Sequence, residues 1–383
     1  MLVKSIANYL EIVHKLGNIF ESRAIEYDNS DSFVEQNYND LKENGFFSAI
    51  IPQELGGSGI SHSDMCNILR ELAQYCGSTA LALSMHQHLL SANVWKYKHG
   101  QGMEAMLKNV AANQPVLVST GANDWLESSG VMVKTNDGFL VTAVKHFASQ
   151  SAVGDVLVTS AAYDDPELGW QVLHFSVPFK SSGITVLNNW EALGMRATGS
   201  HSVKLEKVFI PDAAISLRRP KGEFHPVWNV ILTVAMPLIM SVYLGIAQKA
   251  ERFAITHISN QKTHKPYVPD MIGDMRNELT TAELNVKDMI RIANNFDFKP
   301  LDKNGNDILI RKTNAAKACI NVVEKAMNIV GGPGFYRSFG LEKLFRDVQA
   351  AKYHPLQEKD QLRFTGEYIL RTAKDPVALD SAA

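Results

Sequence analysis

Near its C-terminal end the chain reads FRDVQAAKYHPLQEKDQLRF (345–364), with an imidazole, His354, directly before Pro355. An imidazole gives or takes a proton near neutral pH, so His354 is the side chain of this stretch best suited to acid–base chemistry. Pro355 also disfavours a helical conformation in the residue before it, so Tyr353-His354-Pro355-Leu356 reads equally as the stop between two helical runs. Glu358 and Asp360 fall in the first turn of the second run, where the helix dipole favours carboxylates on a solvated face. Two more histidines, His86 and His88, stand in SMHQHLL (84–90), where the commoner role of a histidine is structural. Gly331, Gly332 and Gly334 fit a turn between helices in which φ becomes positive.

These residues need elements to hold them. A chain of 383 residues is long for one core, so two or three cooperating domains are expected. Residues 1–112 read as a helical domain, with apolar positions at three- and four-residue spacing broken by the loop IPQELGGSGIS, after which Ser61 or Ser63 can cap a helix. Residues 113–222 turn to short β-branched runs (VLVST, VMVKT, FLVTAVKHFAS, DVLVTSAAY, WQVLHFSVP, ITVLNNW, HSVKLEKVFIP) closed by Pro211 and a basic LRRPKGE segment, the pattern of a small β-barrel or sandwich. Residues 223–383 return to long helical patterns at 228–258, 268–298, 309–330 and about 341–372, which read as a four-helix bundle. The expected fold is mainly α with a central β-domain.

Composition narrows the function classes. The net charge of −2 and the pI near 6.6 leave no basic footprint for nucleic acid. Three scattered cysteines, Cys66, Cys76 and Cys319, suit a reduced cytoplasm and show no metal-type spacing. The uncharged run VILTVAMPLIMSVYLGIA (230–247) contains Pro237 and reads as the buried helix of a bundle rather than a membrane span. Lys4, Glu11, His14 and Lys15 interrupt the first twenty residues, which read as an amphipathic helix rather than a signal peptide.

Four motifs, in order, are IIPQELGGSGIS (50–61), NWEALGMRATGSHSVKLEKVFIP (189–211), YLGIAQKAERFAITH (243–257) and AMNIVGGPGFYRSFGLEKLFRD (326–347). Over nearly its whole length the chain thereby resembles the acyl-CoA dehydrogenase superfamily of flavoproteins, in a branch similar also to flavin monooxygenases of the same fold. The resemblance implies a flavoprotein oxidoreductase with FAD, FMN being possible, and a homotetramer. It places Ser119, Thr120 and Gly121 of LVSTGAND at a first flavin loop and KHFASQS at a second, with Phe147 against the isoalloxazine and Ser149 near N5. It brings Gly331, Gly332 and Gly334 to the dinucleotide of a neighbouring subunit and Gln261 to the adenine half. His86, His88 and Arg196 fall on the substrate side. An acyl-CoA or another small molecule would be the substrate, with a flavin reductase or an electron-transfer flavoprotein as redox partner.

The chain departs from the family pattern where chemistry matters. STGAND replaces the usual Thr-Glu-Pro, and NQKTHKPY (260–267) puts Gln261 and His264 where an Arg and a Phe are usual, leaving Lys262 or Lys265 as point charges. The family's catalytic Glu falls on Pro355, and the alternative Glu position on about Ala235; neither takes a proton, and Glu358 lies three residues past the first. The leading expectation is nonetheless an acyl-CoA dehydrogenase-like oxidoreductase acting on an acyl thioester. The alternative is a two-component monooxygenase in which His354 and Ser149 stabilise the oxygen adduct of reduced flavin, and a second alternative is a non-catalytic flavin or acyl-CoA binder.

Overall fold

The computed structural model describes residues 4–120, 124 and 126–374. Ser5 opens the first helix, α1 (Ile6–Ser30), with a capping box: its hydroxyl accepts from the Asn8 N–H while Asn8 accepts from the Ser5 N–H. After the short α2 (Glu35–Glu43), Ser61 caps α3 (His62–Ala73), accepting from the Asp64 N–H at 3.1 Å. Next come α4 (Gly77–Lys98), buried on most of its circumference, and α5 (Glu104–Asn113).

Eight strands follow: β1 (Leu117–Ser119), β2 (Val131–Lys134), β3 (Gly138–Lys145), β4 (Val156–Asp165), β5 (Gly169–Pro178), β6 (Ile184–Val186), β7 (Val203–Pro211) and β8 (Ile215–Pro220). They form one sheet in the order β6-β7-β3-β2-β4-β5-β8, with β1 on β4. β1 and β2 run parallel to β4, and every other pairing is antiparallel. The basic segment read as the close of the zone is in part strand β8, paired with β5. Its strand character was not read because Arg219 occupies an inward position: it is 1% exposed, and its guanidinium donates to Leu126 O at 2.6 Å and His174 Nε2 at 3.0 Å. Hydrogen bonding, not hydrophobicity, makes that residue a core residue.

The C-terminal region is built on α6 (Val227–Ser259), α7 (Val268–Ala293) and α8 (Asp302–Val330), which pack on one another, while α6 also packs on α3 and α4. α6 is the uncharged run extended at both ends and is a core helix, from Trp228 to Ala250 almost entirely buried. Pro237 inside it has no N–H to give the preceding turn. That leaves the Thr233 carbonyl, four residues back, without its helical donor; the Val234 carbonyl next to it accepts from Nε2 of His62 of α3 at 2.8 Å. The last expected helix is two: α9 (Leu341–Val348) and α10 (Glu358–Lys374), separated by a 3-10 turn at Gln349–Tyr353. His354 is extended (φ −66°, ψ 144°), as a residue before proline prefers, and this breaks the pattern into a helix–loop–helix.

Candidate active site

Strand β3 ends by turning its last side chain inward. Lys145 is 1% exposed and pairs with Asp124 Oδ2 at 2.9 Å, while donating to Ser129 O at 2.7 Å. Burial lowers its pKa, the Asp124 charge opposes that, and the ammonium stays paired. The next residues make the loop of interest. Phe147 adopts φ 57°, costly for a bulky L-residue, yet leaves 52% of its surface exposed, with Trp190 edge-on at 6.2 Å. An exposed ring on a loop held in this conformation has a face open to stacking. Gln150 clasps the loop in place: its backbone N–H donates to Thr198 O, its Nε2 to Leu117 O at 2.7 Å, and its Oε1 accepts from the Tyr38 hydroxyl at 2.6 Å.

Ser149 lies between, half-buried, with its hydroxyl 2.8 Å from that of Ser200; Ser200 is 2.7 Å from Thr198 Oγ1, which donates to Met195 O at 2.9 Å. The segment that carries these partners is bolted to α9. The Met195 N–H donates to Asp347 Oδ1 at 2.6 Å, and Arg346 reaches Asp28 of α1 at 2.6 Å. Gly194 permits the approach, since a Cβ there would lie 2.2 Å from the Arg346 carbonyl oxygen. Gly194→Ala is therefore expected to destabilise the protein by about 1–3 kcal/mol, seen as a lower urea midpoint at unchanged slope; an unchanged midpoint would mean that α9 yields freely.

A second cluster surrounds His354. Its Nε2 is 2.6 Å from the hydroxyl of Tyr243, a buried residue of α6, and its carbonyl accepts from Lys312 Nζ of α8 at 2.7 Å. Lys312 also donates to Leu356 O at 2.9 Å, so one buried ammonium holds the backbone on both sides of Pro355. Burial pulls that ammonium down to about 8. Burial, then the Lys312 charge, then His88 push the His354 imidazole down to about 3, which keeps it neutral. Burial raises the Tyr243 phenol well above its ordinary value. The tautomer sets which of Nε2 and the Tyr243 hydroxyl donates, and Nδ1 has no protein partner among the described residues. With the phenol donating, the imidazole proton sits on Nδ1 and His354 offers an N–H donor there. His88, pushed down to about 4 chiefly by burial, has a buried Nδ1 without a hydrogen bond. His86 differs: its Nε2 donates to Phe47 O at 2.9 Å and its Nδ1 accepts from the Leu117 N–H at 3.2 Å, so neither nitrogen is left for a ligand.

Comparison with known proteins agrees with this architecture. Residues 17–113 match the family model for the acyl-CoA dehydrogenase N-terminal domain, and residues 228–353 match that for the C-terminal domain. The chain belongs to the acyl-CoA dehydrogenase family. Its relatives in that family divide between two chemistries. A putative acyl-CoA dehydrogenase, YdbM of Bacillus subtilis (strain 168), is 26% identical, covering 91% of this chain and 92% of its own. An amino sugar nitrososynthase, DnmZ of Streptomyces peucetius, is 22% identical, covering 94% and 92%. The structure of KijD3 in complex with FMN and a dTDP-amino-keto sugar superposes with a TM-score of 0.84 at 22% identity, covering 94% of this chain and 93% of that one, and so shares the fold.

The other positions singled out by family resemblance fall in varied places. Thr120 is buried and its hydroxyl engages Asp124 Oδ2 at 3.1 Å and Thr159 at 2.5 Å, inside the Lys145 knot; Ser119 ends β1, and Gly121 lies outside the described residues. Gln261 is exposed and bonded to His257 at 3.0 Å. Gly331, at φ 69°, and Gly332 have nothing within 4 Å of a would-be Cβ, whereas Gly334 packs on Val330 and Leu341. Arg196 is bonded to Ala192 O at 3.0 Å and lines an open cleft of about 750 Å³ with Phe33, Trp190 and His201. Glu358 is exposed on α10 and pairs with Lys317 at 2.5 Å; it is not brought to His354. Tyr243 and Lys312 were missed. The signal for Lys312 was a lysine on the apolar face Ile308-Leu309-Ala315-Ala316 of α8, and for Tyr243 a phenol in the uncharged run SVYLGIA.

Proposed function

We propose that the chain is a flavin-dependent monooxygenase of the acyl-CoA dehydrogenase family, working on reduced flavin and dioxygen. The observation that carries this reading is His354: a neutral imidazole, held at Nε2 by Tyr243 and at its carbonyl by Lys312, stands beside Pro355, where an acyl-thioester dehydrogenase needs a carboxylate. The residues present fit a flavin. Phe147 offers a bare aromatic wall, Ser149 a hydroxyl beside it, Gly331 and Gly332 open backbone, and the exposed Lys262 and Lys265 charge for a phosphate. FMN or FAD satisfies these contacts equally.

When bound in its reduced form, the flavin supplies the two electrons that let one oxygen atom of dioxygen enter the substrate while the other leaves as water. This chain's residues orient and protonate. Phe147 fixes the ring plane, Ser149 holds its polar edge, and His354 Nδ1 donates toward the oxygen being transferred, with Tyr243 able to resupply a proton through Nε2. His88 adds a polar group on the substrate side. Reduced flavin reaches the site from a separate reductase. The assembly is a homotetramer, in which a second copy covers the exposed Phe335 and Tyr336 (82% and 69%) beside Gly331 and Gly332.

The dehydrogenase reading is supported by the two family-model matches and by relatives such as YdbM, and requires Glu358 to leave Lys317 and enter the site. Anaerobic titration with acyl-CoAs decides between the two. Unchanged flavin absorbance, with the reduced flavin still binding and reacting with oxygen, is the expected result; bleaching of the flavin by an acyl-CoA would establish a thioester dehydrogenase instead. Failure to bind flavin in either oxidation state would leave the non-catalytic reading.

A further inference from the structure

α4 is covered on two sides. His86 turns to β1, where it accepts the Leu117 N–H, and Gly77 faces α6, where a Cβ would lie 2.9 Å from Ile246 Cδ1. Between those sides Met85, Leu89, Ala92 and Lys96 recur at i, i+4, i+7 and i+11, a single stripe of the helix, and each is half-buried. The stripe therefore lines the gap between the β-region and α6. At 1.5 Å per residue, Lys96 stands about 12 Å along the helix from His88, the histidine whose charge bears on His354. Leu89 and Ala92 lie between, so apolar surface joins the His354 end of the gap to an ammonium.

No carboxylate among the described residues pairs with Lys96, and burial lowers its pKa. The groups around it are basic. Burial, then Arg219, His225, Lys96 and Lys145 push the His174 imidazole down to about 3, so these side chains share one end of the gap. Arg219 Nε donates to His174 Nε2 at 3.0 Å, and His225 Nδ1 accepts the Val227 N–H at 3.1 Å, which leaves Nε2 as the donor of the neutral ring. The two acids that bear on Arg219 are spent, Asp124 on Lys145 and Glu127 on Lys221 at 3.5 Å. A half-buried cation among basic groups, without a counter-ion, is relieved by an incoming anion.

We propose that Lys96 sets substrate specificity by receiving an anionic group at the end of the substrate remote from the oxygenated atom. The substrate class is then an elongated molecule, apolar in the middle, with a carboxylate or sulfonate at its far end. The placement of the reacting end at His354 rests on the flavin reading above; the anion site itself rests on α4 and its neighbours.

Isothermal titration of the full chain, with and without FMN, tests this with octanoate, octanol and octylamine on wild type, Lys96→Met, Lys96→Glu and Lys96→Arg. Octanoate is expected to bind wild type tenfold or more tighter than octanol, with octylamine weakest. Lys96→Met should erase the advantage of octanoate, Lys96→Glu should pass it to octylamine, and Lys96→Arg should restore it, while FMN binds every variant alike. Equal binding of octanoate and octanol to wild type, or an advantage that survives both Lys96→Met and Lys96→Glu in cooperatively folded protein, overturns the proposal. So does a loss of FMN affinity in Lys96→Met without a change for octanoate, which would assign the lysine to the flavin phosphate. A wild type that shows the octanoate pattern and binds no FMN overturns the flavin reading and leaves the anion site standing.

Discussion

Replacing His354 by alanine is expected to cut the yield of oxygenated product by 10²- to 10⁴-fold, about 3–5 kcal/mol of transition-state stabilisation. The size follows from the loss of the neutral imidazole at that position, with no carboxylate among the described residues placed to take over: Pro355 is next to it and Glu358 is committed to Lys317. Affinity for reduced flavin should change little, because Phe147 and Ser149 hold the ring from the other loop. Oxygen consumption should continue while hydrogen peroxide replaces product, which separates a lost proton donor from a lost binding site. Tyr243→Phe should fall between the two, since Nε2 loses its partner but Nδ1 remains. Undiminished product from folded His354→Ala would end the proposed role.

Stability should collapse between pH 6.5 and 4. His62, His86 and His88 are buried at 0%, 0% and 9% exposure, and burial pushes each down to about 4. The sign follows from proton counts. Below pH 6.5 the unfolded chain binds a proton at each imidazole that the folded chain refuses until about 4, so acid favours the unfolded state. Full stability is present above 6.5 and is lost as the pH falls. Each histidine contributes on the order of 3 kcal/mol across this range, and three approach the whole stability of a typical domain. His86 shows why the loss is structural: protonating Nδ1 removes the acceptor of the Leu117 N–H, where β1 meets α4. Thermal unfolding followed from pH 7.5 to 4.5 should show a steep fall in melting temperature, blunted in His86→Gln; a flat profile would contradict the buried, neutral assignment.

The sequence carried the helices and strands wherever apolar periodicity carried the energetics. α1, α3, the strands from β1 to β7 and the great apolar helix α6 all announce themselves by spacing, and Ser61 by its capping position. Where polar groups do the packing, periodicity is silent. β8 hid behind Arg219, whose burial depends on a carbonyl about 93 residues away, whereas Pro355 made the stop between α9 and α10 legible. The site shows the same division. His354, Ser149 and Phe147 were legible because resemblance fixed their positions. Tyr243, Lys312, Ser200 and Thr198 were not, because what matters in them is which atom faces which, and a string of residue types does not encode direction.

Gln150 bears on how the molecule comes to be made. Its three polar contacts join residue 38, residue 117 and residue 198, so the loop it anchors takes shape only after segments far apart along the chain have met. Such non-local closure is slow and comes after the local helices have formed. The loop after β3 is thus expected to order late, once the N-terminal helices and the strands have met. A chain begun at residue 113 would retain all eight strands and still leave the Gln150 carbonyl without the Tyr38 hydroxyl. The β-region alone therefore cannot be borrowed as a working flavin module: the N-terminal helices are part of the mould in which the site is cast.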